Sequence, residues 1–305
     1  MDAIAYIPGD GIGPEIMNAA VRVIDVVMCG EIEWFDVATT DFRPLVYEQE
    51  AVGTILDIGV ALKGPISSVD HSTMPWGNDF FCRYLDVSTQ VRACRHIPGV
   101  PGSHRLLDLV IVSELPGEEQ TFEKTVQRAM NLARLRQGKI SLVLRDDLHL
   151  KFLLPHLRAF NALIAEQGLD LKVDRWNLRP AVAHLHTWPG SFDVIVTDQL
   201  SGSVLSAQAG ALMGGLGLTS RESSGGGTYL FETGHGTAPG LTGQGIANPA
   251  GLMFAGVKML EHLNKKTEAE RLSQAIMRTL ADIRTRDIGG TANTEQFTQA
   301  VLAKL

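Results

Sequence analysis

The residues able to do chemistry in this chain of 305 residues fall in a few short stretches. The segment VIVTDQLSGSVLSAQAGALMGGLG (194–217) reads as a buried strand, a polar turn and a helix rich in small residues. Turns after such strands are where α/β proteins keep their ligands. After Asp198 this turn offers Gln199, Ser201, Ser203, Ser206 and Gln208, which are amides and hydroxyls where charge is expected. These groups orient a ligand, but they lack the anionic oxygens a hard divalent cation needs to shed its water. In IPGDGIGPEI (7–16), Gly9, Gly11 and Gly13 alternate between a strand and a helix. That suits backbone approaching a ligand, or simply a tight turn. Arg92 and Arg145 could hold an anion; Arg92 could equally be a solvent-facing residue at a sheet edge. His184 and His186 would share a face if extended, with no third metal ligand in view.

The elements that must position these residues alternate between two periodicities. Strands are expected over 3–7, 31–38, 106–115, 139–145 and 192–198. Helices are expected over 14–28, with Pro14 in its first turn, over 121–137, and over 149–167, with a kink or restart at Pro155. Residues 52–64 fit a helix running into a strand. SSGGG (223–227) reads as a flexible loop, and 248–264 and 269–284 read as amphipathic helices. Strand and helix in alternation imply a largely parallel sheet covered by helices.

Composition narrows the function class. Hydrophobic residues at 45% and charged residues at 20% are ordinary for a soluble globular protein. A net charge of −7 argues against a nucleic-acid partner. No apolar run approaches the roughly 18 residues of a membrane span. The N-terminal residues lack a secretory pattern, and Cys29, Cys82 and Cys94 have no metal-like spacing. A cytoplasmic location with reduced thiols is expected.

Five segments, taken in order, carry a more specific signal: IPGDGIGPEI (7–16), LKGPIS (62–67), FDVIVTDQLSGSVLS (192–206), FETGHGTAPGLTGQGIANPAG (231–251) and DIGGTANTEQF (287–297). Together they resemble the isocitrate/isopropylmalate dehydrogenase family, the β-decarboxylating dehydrogenases, over nearly the whole chain. The resemblance implies an α/β fold of two subdomains around a cleft, with a parallel and mixed sheet flanked by helices that is not a Rossmann fold. Residues 1–95 and 225–305 would form the first subdomain, with the nucleotide loop. Residues 96–224 would form the second, on the metal, substrate and dimer side. It also implies a reaction in which Mg²⁺ or Mn²⁺ polarises a 2-hydroxy acid, NAD(P) takes hydride and the β-carboxylate leaves as CO₂.

Matched to the family position by position, the nucleotide end is retained. Glu232, His235, Gly236, Thr237, Ala238 and Asn248 fall on its cofactor positions, around a glycine-rich turn suited to a pyrophosphate. Gly240 and Leu241 follow Pro239 where an Asp commonly binds the ribose, so NAD and NADP both stay open and affinity is expected to be reduced. Of three substrate arginines only Arg92 remains. Cys82, with Arg83 adjacent, and Ser113 replace the others, and Asn78 is a further substrate-binding candidate. Gln120 stands for the catalytic Tyr and Arg145 for the Lys; neither shuttles a proton near neutral pH. Lys151 could substitute if the loop realigned.

Ser203 and Ala207 take two metal carboxylate positions. Asp174 matches the third, which the partner subunit supplies in the family. Asp198 and Asp146–Asp147 could rescue a site or be solvated turn residues. The family's interlocking clasp is absent after Gln120, so a dimer would rest on helix packing through Val126, Met130 and Phe152.

The expected function is that of a catalytically degenerate family member, regulatory or ligand-binding, as a homodimer or a hetero-oligomer with a catalytic paralogue. A small-molecule anion is a possible ligand, and Mg²⁺ or Mn²⁺ is not expected to bind. The alternative is an NAD(P)-dependent oxidoreductase acting on a 2-hydroxy acid without metal.

Overall fold

The computed structural model describes residues 1–37, 46–66, 84–115, 121–145 and 150–305. The chain opens with β1 (Asp2–Ile7), α1 (Gly13–Val27), β2 (Ile32–Asp36), α2 (Val46–Ile58) and β3 (Val60–Lys63). Its middle holds β4 (Thr89–Arg95), β5 (Asp108–Glu114), α3 (Thr121–Arg134), β6 (Lys139–Leu144), α4 (Leu150–Gln167), β7 (Lys172–Asn177), α5 (Leu178–Thr187), β8 (Val194–Thr197) and α6 (Gln199–Met213). β9 (Ser220–Gly225), β10 (Thr228–Thr233), α7 (Ala250–His262), α8 (Lys266–Asp282) and α9 (Thr294–Leu302) complete it. The described strands form one sheet in the order β2-β1-β3-β10-β9-β4-β5-β8-β6-β7. β1, β2, β3 and β10 pair in parallel, as do β5, β8, β6 and β7. β9 and β4 join these groups through antiparallel pairings, so the sheet is mixed.

The local reasons are ordinary ones. The apolar run of β5 is buried over Leu109–Ser113 because helices cover both faces. Pro14 opens α1, whose Ile16, Ala20, Val23, Ile24 and Val27 recur at helical spacing and are buried. α7 is apolar almost all round because it packs on β10 and β9 on one side and on α1 and α8 on the other. The largest core cluster runs without a break from Ile4, Ile16 and Leu62 to Ile111, Ile195 and Leu205. Among the described residues no helix is long and apolar enough to cross a membrane.

Three expectations are corrected. Residues 220–225 form β9, not a flexible loop, and Gly226 (φ +53°) and Gly227 (φ +86°) make the tight turn into β10. Positive φ at both turn positions is what a two-residue hairpin requires, and glycine adopts it without steric cost. α4 runs through Pro155 as one helix. Val126 and Met130 are wholly buried between α3 and the sheet, so they cannot pack against another subunit. Among the exposed apolar residues, Leu200 and Val204 lie on α6 and Leu154 on α4.

Candidate functional site

β1, β3 and β10 run in parallel, so the loops that follow them meet at one edge of the sheet. These loops are joined backbone to backbone. The Gly64 N–H donates to the Ile7 carbonyl (2.8 Å), Asp10 N–H to Pro65 (2.7 Å) and Ile12 N–H to Thr237 (3.0 Å). The contact is close enough to exclude a side chain. A Cβ on Gly9 would stand 2.2 Å from the Pro65 oxygen, and one on Gly11 would stand 2.1 Å from the Thr237 oxygen; both glycines have positive φ. The Glu15 carboxylate, in the first turn of α1, accepts N–H bonds from Gly245 and Ala247 (3.1 Å each). Ala238 is held at φ +41°, a conformation that costs a non-glycine residue about 1 kcal/mol or more.

This edge gathers His235, Gly236, Thr237, Ala238 and Asn248 into one loop. Burial lowers the pKa of His235, so its ring is neutral near pH 7, and its buried Nε2 has no hydrogen-bond partner among the described residues. Asn248 Nδ2 donates to Asp287 (3.0 Å), whose other oxygen accepts from Thr285 (2.5 Å). Gly236 and Gly240 face open space. A vacant ring nitrogen beside exposed glycine N–H groups fits a nucleotide. Gly240 and Leu241 form a short 3₁₀ turn whose side chains offer no acceptor for a ribose.

Glu232 does not belong to this surface. It is 2% exposed and is the anionic centre of a network crossing the middle of the sheet. Lys63 Nζ lies 2.6 Å from its Oε2, and Arg221 Nη2 donates to the same oxygen at 3.0 Å. Ser223 Oγ donates to its Oε1 (3.2 Å). Burial alone would raise the Glu232 pKa; Arg221 and Lys63 outweigh it and hold the carboxyl at about 2. Gln90 Nε2 donates to Ser223 (2.9 Å), and Arg92 donates to Gln90 Oε1 and to Ser113 Oγ (3.2 Å). Arg92 is therefore an interior residue, not a solvent-facing one. Burial and then the neighbouring Arg221 push its pKa down to about 9.

The second group of parallel strands presents a different edge. In register, Leu144 of β6 stands beside Asn177 of β7, and Val143 beside Thr197 of β8. Arg145 and Asp198 follow at that level. Asp198 caps α6: its Oδ1 accepts from the Ser201 N–H (3.0 Å) and its Oδ2 from the Ser201 hydroxyl (2.5 Å). Ser203 and Ala207 lie one turn apart on the exposed side of α6, and the Ser203 hydroxyl donates to the Gln199 carbonyl (3.1 Å). Asp174 is not at this edge. It pairs with Ser141, three residues short of the end of β7, roughly 10 Å away along a strand, and forms an ion pair with Lys139 (2.9 Å). Lys139 also reaches the Ser191 carbonyl (2.7 Å), before the start of β8.

The donor set here does not fit Mg²⁺ or Mn²⁺, which need several oxygen ligands converging on one point, preferably anionic. Among the described residues no group of three or more His, Cys, Asp or Glu could hold a metal. His184 and His186 lie on α5, not on extended chain, so two residues separate them by about 200° around the helix. His184 stacks on Trp176, and His186 contacts Gln208 (3.0 Å). Lys151 stands exposed in the first turn of α4. Asn78, Gln120, Cys82, Arg83, Asp146 and Asp147 lie outside the described residues, as does the side chain of Phe152.

Sequence reasoning missed Gln90, Arg221 and Ser223. The one signal was an arginine in a Ser/Gly-rich segment otherwise readable as a loop.

Comparison with known proteins agrees with this geometry. The sequence profile of the isocitrate/isopropylmalate dehydrogenase family matches residues 110–301. An isocitrate/homoisocitrate dehydrogenase of Thermus thermophilus is 33% identical, covering 99% of this chain and 98% of its own. A mitochondrial regulatory subunit of an NAD isocitrate dehydrogenase from Dictyostelium discoideum is 30% identical, over 98% of this chain and 89% of its own. The crystal structure of isocitrate dehydrogenase from Methylococcus capsulatus superimposes with a TM-score of 0.90 at 26% identity, covering 100% of this chain and 99% of that one.

Proposed function

The chain belongs to the isocitrate/isopropylmalate dehydrogenase family, and we propose that it is a ligand-binding, catalytically degenerate member. It keeps the nucleotide end and has given up metal-assisted oxidative decarboxylation. The observation that carries this reading is the exposed face of α6. Ser203 and Ala207 stand where the family reaction needs carboxylates, and the nearby Asp198 is committed to capping the helix. Among the described residues at this edge no free carboxylate remains to hold the cation that would polarise the substrate hydroxyl. Arg145 presents a guanidinium, which donates hydrogen bonds and has no acceptor for the hydroxyl proton.

NAD or NADP, when bound, supplies the hydride acceptor. In the proposed role the chain's own groups do the holding. The 234–248 loop, where Gly236 and Gly240 face open space, presents backbone N–H groups to the pyrophosphate, and the Gly9–Gly13 loop braces it through its own backbone bonds. Asn248, held by Asp287 and the Ala250 N–H, backs the adenosine side. Neutral His235 offers its nitrogen that is unpartnered among the described residues. A regulatory role in a hetero-oligomer with a catalytic paralogue is supported by the relatedness to a regulatory subunit. The exposed Leu200, Val204, Ala207 and Ala211 on α6 support contact with a second subunit, identical or paralogous. The division into subdomains at 1–95, 96–224 and 225–305 belongs to the same proposal.

The competing reading, an oxidoreductase acting on a 2-hydroxy acid without metal, draws on the cations retained beside Glu232. One assay separates the two. NAD(P)H formation is followed with 2-hydroxy diacids and Mn²⁺, alongside thermal shifts with NAD and NADP. Nucleotide-induced stabilisation without turnover is expected; sustained turnover would overturn the degenerate reading.

A further inference from the structure

The row of charges across the sheet is uneven. Glu232 of β10 pairs in register with Lys63 of β3 on one side and with Arg221 of β9 on the other. β9 pairs with β4 through Thr89–Ser224, Gln90–Ser223 and Val91–Glu222. One step further along that antiparallel ladder sets Arg92 beside Arg221. The strands thus read Lys63, Glu232, Arg221, Arg92, and two guanidiniums end the row on neighbouring strands. Like charges directly opposite are destabilising, the more so out of water. Glu232 is the one carboxylate among the described residues that acts on Arg92, and it is already shared by Lys63 and Arg221. Glu222 cannot help: it pairs with Arg128 of α3, on the other face of the sheet.

The pair is nevertheless built. Gln90 and Ser113 fix the Arg92 guanidinium. Glu232 fixes one edge of the Arg221 fork, with Oε2 3.0 Å from Nη2 and Oε1 3.0 Å from Nε, and leaves the Nη1 side to a ligand. The Arg221 side chain keeps 18% of its surface open, which makes it the approach to the buried Arg92.

We propose that Arg92 and Arg221 form a two-guanidinium clamp for a carboxylate of a small diacid, with Arg221 supplying the cation that Cys82 and Ser113 no longer supply. Planar forks on adjacent strands match the two oxygens of a carboxylate, and the incoming anion relieves the repulsion between them. The inference rests on the ligand-binding reading above and names the chemistry of its ligand.

The test is calorimetric titration of the full chain at low ionic strength with malate and, separately, with inorganic phosphate. It uses the parent, Arg221→Met and Arg221→Lys, with the nucleotide-induced thermal shift as the measure of correct folding. Malate is expected to bind the parent. Its affinity is expected to fall about 10- to 100-fold in Arg221→Met, the loss typical of a charge-assisted hydrogen bond, and to recover in part in Arg221→Lys, which also serves if the Met variant does not fold. Equal malate affinity in parent and variant, or no malate binding by the parent, overturns the clamp. Tighter binding of phosphate than of malate overturns the carboxylate assignment. Malate oxidation with a KM that rises in Arg221→Met would sink the degenerate reading and leave the clamp standing. An inert chain that binds malate independently of Arg221 does the reverse.

Discussion

The two loop edges of the sheet have been maintained by different means. At the ends of β1, β3 and β10 the work is done by backbone: N–H groups, carbonyls and glycines packed within van der Waals contact of one another. At the ends of β6 and β8 it depends on side chains, and there the exposed side of α6 carries Ser203 and Ala207, where the family resemblance implies carboxylates. A backbone cradle is locked by its own close packing, since an added Cβ at Gly9, Gly11 or Gly64 collides. A side-chain site can lose its charges one by one while the helix beneath it stays intact. On the proposed reading, that asymmetry lets a chain keep a nucleotide edge and lose a metal edge on a fold that still superimposes on an isocitrate dehydrogenase.

Substitutions at the centre and at either edge probe this asymmetry. The largest effect is expected for Glu232→Gln, which leaves Lys63 and Arg221 without their counter-charge. Breaking a buried pair this way costs about 3–5 kcal/mol, read by denaturant unfolding at pH 7. The pH dependence has a definite sign. The folded pKa, about 2, lies below the ordinary carboxyl value of about 4.3. The contribution of Glu232 is therefore complete above that value and is lost as pH falls through the folded pKa. The stability gap between parent and Glu232→Gln should narrow across that window.

Next is Gly11→Ala. A methyl 2.1 Å from the Thr237 oxygen, on backbone with positive φ, is expected to cost about 2–4 kcal/mol and to abolish the nucleotide-induced thermal shift. Survival of that shift would show that the backbone lock is not what preserved this edge. The double substitution Ser203→Asp with Ala207→Asp probes the other side. Both positions are exposed, so the loss of stability should be small. Mn²⁺ at about a hundred times its Kd should then stabilise the variant by about 2.7 kcal/mol, while the parent does not respond. The smallest effect is expected for Asp198→Ala, which removes a helix cap at about 1 kcal/mol and leaves the Mn²⁺ response unchanged. A larger change in that response would place Asp198 at a metal site after all.

The fold was legible where burial is two-sided or helical faces are clean, as in β5, α1 and α3. It was illegible where polar residues are buried. Thr89, Gln90 and Arg92 hide β4, because their hydrogen-bond partners arrive from β5, β9 and α3 and leave no apolar pattern in the local sequence. β9 reads as a loop for the same reason: Arg221 and Ser223 are made strand residues by Glu232 across the sheet. The nucleotide edge could be read from glycines, whose role is local. The His184–His186 pair could not be placed, since the extended-or-helical choice is set by tertiary packing.

The unbroken apolar core from Ile4 to Leu205 has a mechanical corollary. Each end of the sheet has a smaller cluster of its own, around Val126 and Phe160 at one end and Ile7 and Ile55 at the other, but the main core spans both ends. Cutting the polypeptide between them would expose one side of a shared filling, so limited proteolysis should leave no stable fragment and calorimetry should show a single melting event. Damage at either rim is thereby felt at both.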